Sequence, residues 1–135
     1  MSGGRLRVLL VEDEAIPARA AAVMLDRLGC EVTSIVDTGQ AAVTAASAQR
    51  PDLVLMDIRL KGPMDGIEAA ARIRGRLGTP IVFVSAYQAE ELGERRAALG
   101  EATYLTKPVD EQALAAAITR LVGSQRLSTD APDEL

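Results

Sequence analysis

The sequence predicts an α/β protein: a single domain with a parallel sheet covered by helices on both faces. Three observations carry that prediction. Short apolar runs alternate with longer segments of helical character, five times over, which is the pattern of a parallel sheet with crossover helices. The runs are near-continuous rather than alternating, as in Leu6–Val11, interrupted only at Arg7, and Leu53–Met56, so both faces of these strands are expected to be buried. The 135 residues leave room for one core, and with aromatics at 2% it must be built from Val, Leu, Ile and Ala.

Residues 1–4 read as a flexible start, and Leu6 to Val11 as the first strand, ending in Glu12-Asp13-Glu14. Ala15 to Leu28 reads as a helix with Val23, Leu25 and Leu28 among many alanines; Pro17 fits only in its first turn, and Gly29 stops it. Glu31 to Val36 is the second strand and Thr38 to Gln49 the second helix, broken by Arg50-Pro51. The third strand, Leu53 to Met56, runs into Asp57 and the loop Lys61-Gly62-Pro63-Met64. Asp65 to Leu77 has the spacing of a capping box, Asp65 at the cap and Glu68 three residues on, with Ile67, Ala70, Ala71 and Ile73 as its apolar stripe. Ile81 to Val84 is a fourth strand ending at Ser85, and Glu90 to Leu99 a charged helix closed by Gly100. Thr103 to Leu105 is a short fifth strand, and Asp110 to Val122 the last helix, with Leu114, Ile118 and Leu121 at helical spacing. The domain is expected over residues 5–122. The Ser-, Asp- and Pro-bearing stretch 123–135 is expected to be disordered, with no output domain.

Composition narrows the function. A net charge of −4 gives no sign of a nucleic-acid surface, and no apolar run is long enough to insert in a membrane. The one cysteine, Cys30, fits a reducing compartment, so the expectation is a cytoplasmic protein. The absence of histidine removes histidine acid–base chemistry and histidine metal ligation. Of fifteen basic residues only Lys61 and Lys107 are lysines, and Lys107 stands directly before a proline.

In a parallel sheet of this kind, ligands bind at the carboxyl edge of the strands. That edge should gather Glu12 and Asp13 from strand one, Asp57 from strand three, Ser85 from strand four and Lys107 from strand five. Crowded carboxylates repel by about 4 kcal/mol per pair at 4 Å, and a hard divalent cation relieves them. Asp13 and Asp57, with Glu12 through water, therefore suit Mg²⁺. A carboxylate is also a nucleophile toward phosphorus, in a reaction catalysed mainly by alignment and charge neutralisation. Lys107 and the Ser85 hydroxyl have the chemistry to hold phosphoryl oxygens. Each piece alone has an ordinary reading: Glu12-Asp13 as a helix cap, Ser85 as a loop hydroxyl, Lys107-Pro108 as a surface turn. Their joint placement argues for a site.

The order Val-Glu-Asp-Glu, Leu-Met-Asp-Ile-Arg-Leu with Met-Asp-Gly-Ile-Glu-Ala-Ala, Val-Ser-Ala and Tyr-Leu-Thr-Lys-Pro resembles the receiver domain of two-component response regulators. The match runs from about Leu6 to Val122. The resemblance implies a flavodoxin-like (βα)5 fold with strand order 2-1-3-4-5. It also implies Asp57 as phosphoacceptor, Glu12 and Asp13 as the acidic pair holding Mg²⁺, and the backbone carbonyl of Arg59 as a further metal ligand. Ser85 fills the hydroxyl switch position, Tyr104 the aromatic switch position, and Lys107 contacts the phosphoryl group across a cis Lys107-Pro108 bond. Arg59 and Tyr87 occupy the positions that tune phosphoryl lifetime. Ser85 replaces the more frequent threonine of the family and keeps its hydroxyl.

The implied function is a phosphoacceptor in a two-component system or phosphorelay. The donor is a phosphohistidine on a sensor histidine kinase or a histidine phosphotransfer protein, and the readout goes to an unidentified protein target. The fourth helix, fifth strand and fifth helix would form the surface that switches. The chain would catalyse only its own phosphorylation and dephosphorylation. The alanines of the first helix, Ala18, Ala20, Ala21 and Ala22, offer either a low-relief docking face or core packing. Rival readings are a receiver that is part of a larger regulator or hybrid kinase, an aspartyl-nucleophile phosphatase, a flavin carrier, and a receiver working unphosphorylated. The phosphatase is disfavoured by Arg59 where a second acid is usual. The flavin carrier lacks a phosphate-cradling loop after strand one, and the intact set of five side chains argues against the last.

Overall fold

The structure, a computed structural model, describes residues 4–86, 95 and 103–123. Five strands form one parallel sheet: β1 (Leu6–Val11), β2 (Cys30–Val36), β3 (Leu53–Asp57), β4 (Ile81–Ser85) and β5 (Thr103–Thr106). Their order is β2-β1-β3-β4-β5, as the resemblance implies. Four helices are described: α1 (Ala15–Arg27), α2 (Gly39–Gln49), α3 (Gly66–Leu77) and α4 (Glu111–Val122). The helix expected over Glu90–Leu99, apart from Arg95, and Tyr87 and the stretch beyond Gly123 lie outside the described residues.

The continuous apolar runs have the expected cause. Along β1, β3 and β4 successive side chains point to opposite faces, and each face has its own core. Leu9, Val11, Val54, Met56, Ile81 and Phe83 meet α2 and α3 on one side. Leu6, Val8, Leu10, Leu55, Val82 and Val84 meet α1 and α4 on the other. All of β3 and β4 is buried, whereas the outer strands β2 and β5 are largely half-exposed.

The helix starts follow from their caps. The side chains of Thr38, Asp65 and Asp110 accept from the N–H groups of Ala41, Glu68 and Ala113, satisfying donors the helices leave open. The capping box of α3 is half formed, because Glu68 turns away to pair with Arg72 at 3.0 Å. Arg50 (φ 48) and Gly78 (φ 70) end α2 and α3 in the left-handed conformation.

The buried faces of two helices refine the sequence reading. In α1 the buried residues are Ala18, Ala21 and Leu25, while Val23 is 46% exposed. In α3 Ala69 is buried and Ala71 is exposed. Each helix packs small residues beside larger ones on its inner face, Ala18 and Ala21 with Leu25 in α1 and Ala69 and Ala70 with Ile67 and Ile73 in α3.

Candidate functional site

The carboxyl edge of the sheet collects the expected residues. Glu12 and Asp13 follow β1, Asp57 is the last residue of β3 and Ser85 the last of β4, and Lys107 follows β5. Register places them: Asp57 lies beside Val84 and Ser85 beside Thr106. The N–H of Lys107 donates to the carbonyl of Ser85 at 2.8 Å, which sets the turn after β5, and the Lys107-Pro108 bond is cis.

Carboxylate oxygens of Glu12, Asp13 and Asp57 all lie within 4.8 Å of one another. Lys107 Nζ stands 2.8 Å from Glu12 Oε1 and 3.0 Å from Asp57 Oδ2, so one ammonium bridges two buried acids. The other oxygen, Asp57 Oδ1, accepts from the N–H of Arg59 at 3.2 Å. Burial pushes the Glu12 carboxyl above its usual range; the Lys107 hydrogen bond opposes this and the neighbouring Asp57 adds to it. For Lys107, burial favours the neutral amine, but Glu12 and Asp57 outweigh it and hold the ammonium charged beyond its usual range. Glu12 also accepts from the N–H of Glu14 at 3.2 Å, while Glu14 is the capping residue of α1 and makes no side-chain cap bond. The acidic pair is thus turned to the site rather than spent as a cap.

The donor set fits a hard divalent cation: three oxygen acids opposed by one ammonium, two of them buried. A hollow of about 360 Å³ over this cluster is lined by Asp13, Asp57, Arg59, Ser85 and Lys107. Tyr104 lies outside it, half-buried against the α2–α3 core and in register with Phe83. Cys30 is buried, its thiol pushed up to about 11 by burial, and it stands apart from the acids in the core beneath α1.

Three features were not read from the sequence. Gly66 packs against the backbone at the end of β3: a Cβ there would collide with the Asp57 carbonyl oxygen, and the Gly66 N–H donates to the Ile58 carbonyl at 2.8 Å. Its position just after Asp65, in Met64-Asp65-Gly66, was the available signal. Asp65 forms a two-pronged pair with Arg95, at 2.6 Å (Oδ2–Nη1) and 3.0 Å (Oδ1–Nη2), thirty positions away. A second hollow of about 410 Å³ opens beside the acids, walled by Ile16, Pro17, Ala20, Met24, Pro108 and Val109.

The family model described as "Response regulator receiver domain" matches residues 8–119. The transcriptional regulatory protein PdtaR of Mycobacterium tuberculosis is 38% identical over 120 residues, covering 89% of this chain and 58% of that protein. The sensor histidine kinase GacS of Pseudomonas protegens is 36% identical over 123 residues, covering 87% of this chain and 13% of that one. The chain therefore spans little more than half the length of PdtaR and a small part of GacS. Among solved structures, the signal receiver domain of a modulated diguanylate cyclase from Desulfovibrio desulfuricans G20 superposes with a TM-score of 0.80 at 35% identity, covering 89% of this chain and 95% of that one. The receiver domain of PhyR from Erythrobacter litoralis gives 0.78 at 29%, covering 98% of each chain. Among the described residues no helix is long and apolar enough to cross a membrane. With the fold, the strand-end acids and the family match in agreement, the chain belongs to the response regulator receiver domain family.

Proposed function

We propose that this chain takes a phosphoryl group onto Asp57 from a phosphohistidine on a partner kinase or phosphotransfer protein, and signals by the change that follows. The observation that carries the reading is the bridged cluster: Asp57 at a strand end, 3.0 Å from Lys107, with the carboxylates of Glu12 and Asp13 within 4.8 Å. Glu12, Asp13, Asp57 and the backbone carbonyl of Arg59 would hold Mg²⁺. That ion supplies charge neutralisation of the phosphoryl oxygens.

The remaining chemistry belongs to the chain. A carboxylate oxygen of Asp57 attacks phosphorus, the phosphorus–nitrogen bond to the partner's imidazole breaks, and an acyl phosphate forms. Lys107 is already charged and within reach, so it can follow the phosphoryl oxygens without being recruited. The Ser85 hydroxyl donates to one of those oxygens, and its movement opens space for the Tyr104 ring. That repacks the face made by the segment expected at Glu90–Leu99, β5 and α4, a local charge change read out by a two-state surface. By the family resemblance, the residue types at positions 59 and 87 tune how long the acyl phosphate lasts.

The partner's docking face is α1 beside the apolar hollow. Ile16 is 84% exposed there, with Ala20 and Met24 along the same wall. Of the four alanines, Ala18 and Ala21 are buried and Ala22 packs against the core, which leaves Ala20 exposed on this surface. The test is intact mass spectrometry of the full chain after incubation with acetyl phosphate and Mg²⁺. One phosphoryl adduct on the wild type and none on Asp57→Asn is the expected result. An adduct on Asp57→Asn, or none on either protein, overturns the assignment.

A further inference from the structure

Gly39 opens α2, sits outside the acid cluster, and is buried. A Cβ at this position would stand 2.7 Å from the Met64 carbonyl oxygen and 2.9 Å from Met64 Cγ. Contacts that short force something to shift, and the nearest atom is backbone, which cannot swing aside. Alanine is otherwise the better helix former, and α2 is rich in it. Glycine at 39 thus serves the neighbour rather than the helix.

That neighbour is the loop that follows Asp57. The loop is closed at its base by the Gly66 N–H to Ile58 carbonyl bond at 2.8 Å. On its outer side Lys61 pairs in parallel with Thr38, the residue that caps α2. Met64, 8% exposed, packs into the same core as Ala42 and Val43. Arg59, whose N–H holds Asp57 Oδ1, lies within this closed loop.

We propose that Thr38 and Gly39 are positioning residues for the acid cluster: the first turn of α2 buttresses the loop from Ile58 to Gly66 and so fixes Arg59 against Asp57. The inference deepens the phosphoacceptor reading and rests on it only for what the loop serves. It makes α2 part of the site's framework although none of its side chains lines the hollow over the acids.

The test is calorimetric titration of the full chain with Mg²⁺ alone, which needs no phosphodonor. Gly39→Ala is expected to keep its circular dichroism and cooperative melting and to bind Mg²⁺ about tenfold more weakly, the lower end of what displaced support around a metal ligand costs. Ile73→Val, a core truncation under the same sheet face, is expected to melt lower with unchanged Mg²⁺ affinity. Gly39→Ala with wild-type affinity overturns the proposal. If Gly39→Ala does not fold, Met64→Ala loosens the same contact from the other side and should weaken Mg²⁺ binding; unchanged affinity there also overturns it. If the wild type binds no Mg²⁺, the metal reading has failed and the buttress is read by amide exchange in peptides spanning 58–66. Exchange about fivefold faster in the folded variants supports it, and unchanged exchange overturns it.

Discussion

Replacing Asp57 with asparagine removes one charge from a cluster of three acids and one ammonium while keeping the side chain's shape. The carboxylate oxygens lie within 4.8 Å of one another. Taking that outer limit as the separation, with an effective dielectric near 20, each pair repels by about 3.5 kcal/mol, so Glu12 and Asp13 together oppose Asp57 by about 7 kcal/mol. Lys107, at 3.0 Å, returns about 5.5 kcal/mol on the same scale. Asp13 is half-exposed, and screening trims its share, leaving a net relief of about 1 kcal/mol when the charge is removed. Asparagine still offers an oxygen to the Arg59 N–H. In chelator at pH 7.5, Asp57→Asn should therefore melt about 3–6 °C above the wild type. The gap should narrow at high salt. Mg²⁺ should raise the wild-type midpoint by mass action and raise that of the variant less. Thermal melts followed by circular dichroism decide it. If Asp57→Asn melts at or below the wild type without metal, the attraction to Lys107 outweighs the crowding and the electrostatic argument is wrong.

Other perturbations read other parts of the structure. Gly75 lies inside α3 with open space where a Cβ would go, so Gly75→Ala should stabilise by about 0.5–1 kcal/mol in urea unfolding; no gain would show a contact not seen here. At Gly66 a Cβ would collide with the Asp57 carbonyl oxygen, so Gly66→Ala should cost about 3 kcal/mol in the same assay and abolish phosphoryl uptake. Burial works against the Asp65 charge, but Arg95 and the Glu68 N–H outweigh it and hold the carboxyl below its ordinary 3.8. The folded pKa is depressed, so the contribution is present above that ordinary value and is lost as pH falls through the folded one. Asp65→Asn keeps a capping oxygen and should lose up to about 1 kcal/mol at pH 7, a deficit that shrinks in acid; a deficit constant from pH 7 to pH 2 would contradict it.

Much of this was legible from residue order because the fold makes it so. A strand buried on both faces has few polar positions, so β1 from Val8 on, β3 up to Asp57 and β4 up to Ser85 stand out as apolar runs, and β3 and β4 are fully buried in the structure. The same topology sends the carboxyl ends of parallel strands to one edge, which is why Glu12, Asp13, Asp57, Ser85 and Lys107 could be grouped before any distance was known. The helix faces were harder. Spacing puts Ala71 in the apolar stripe of α3, yet Ala69 takes the core position, and in α1 Ala18 and Ala21 are buried with Leu25 while Val23 is exposed. The contact of Gly39 with Met64 and the pair Asp65–Arg95 join elements far apart in the chain, and no local pattern announces either.

Lys107 shows why residue type alone understates this site. The sequence marks it as a lysine retained before proline, and the family resemblance gives it a phosphoryl group to contact. The structure gives it an earlier task. Glu12 and Asp57 are 7% and 5% exposed, and two carboxylates buried that deeply need a counter-charge to remain in a folded chain. A single ammonium 2.8 Å from one and 3.0 Å from the other supplies it, held in place by the backbone bond from its own N–H to Ser85. A guanidinium would carry the same charge in a planar fork suited to one carboxylate at a time, whereas an ammonium on a flexible stem donates in three directions. That is a physical reason for lysine at 107 in a chain that otherwise uses arginine. On the proposed function, the group that makes the acids compatible with burial is the same group that stands ready when one of them is esterified.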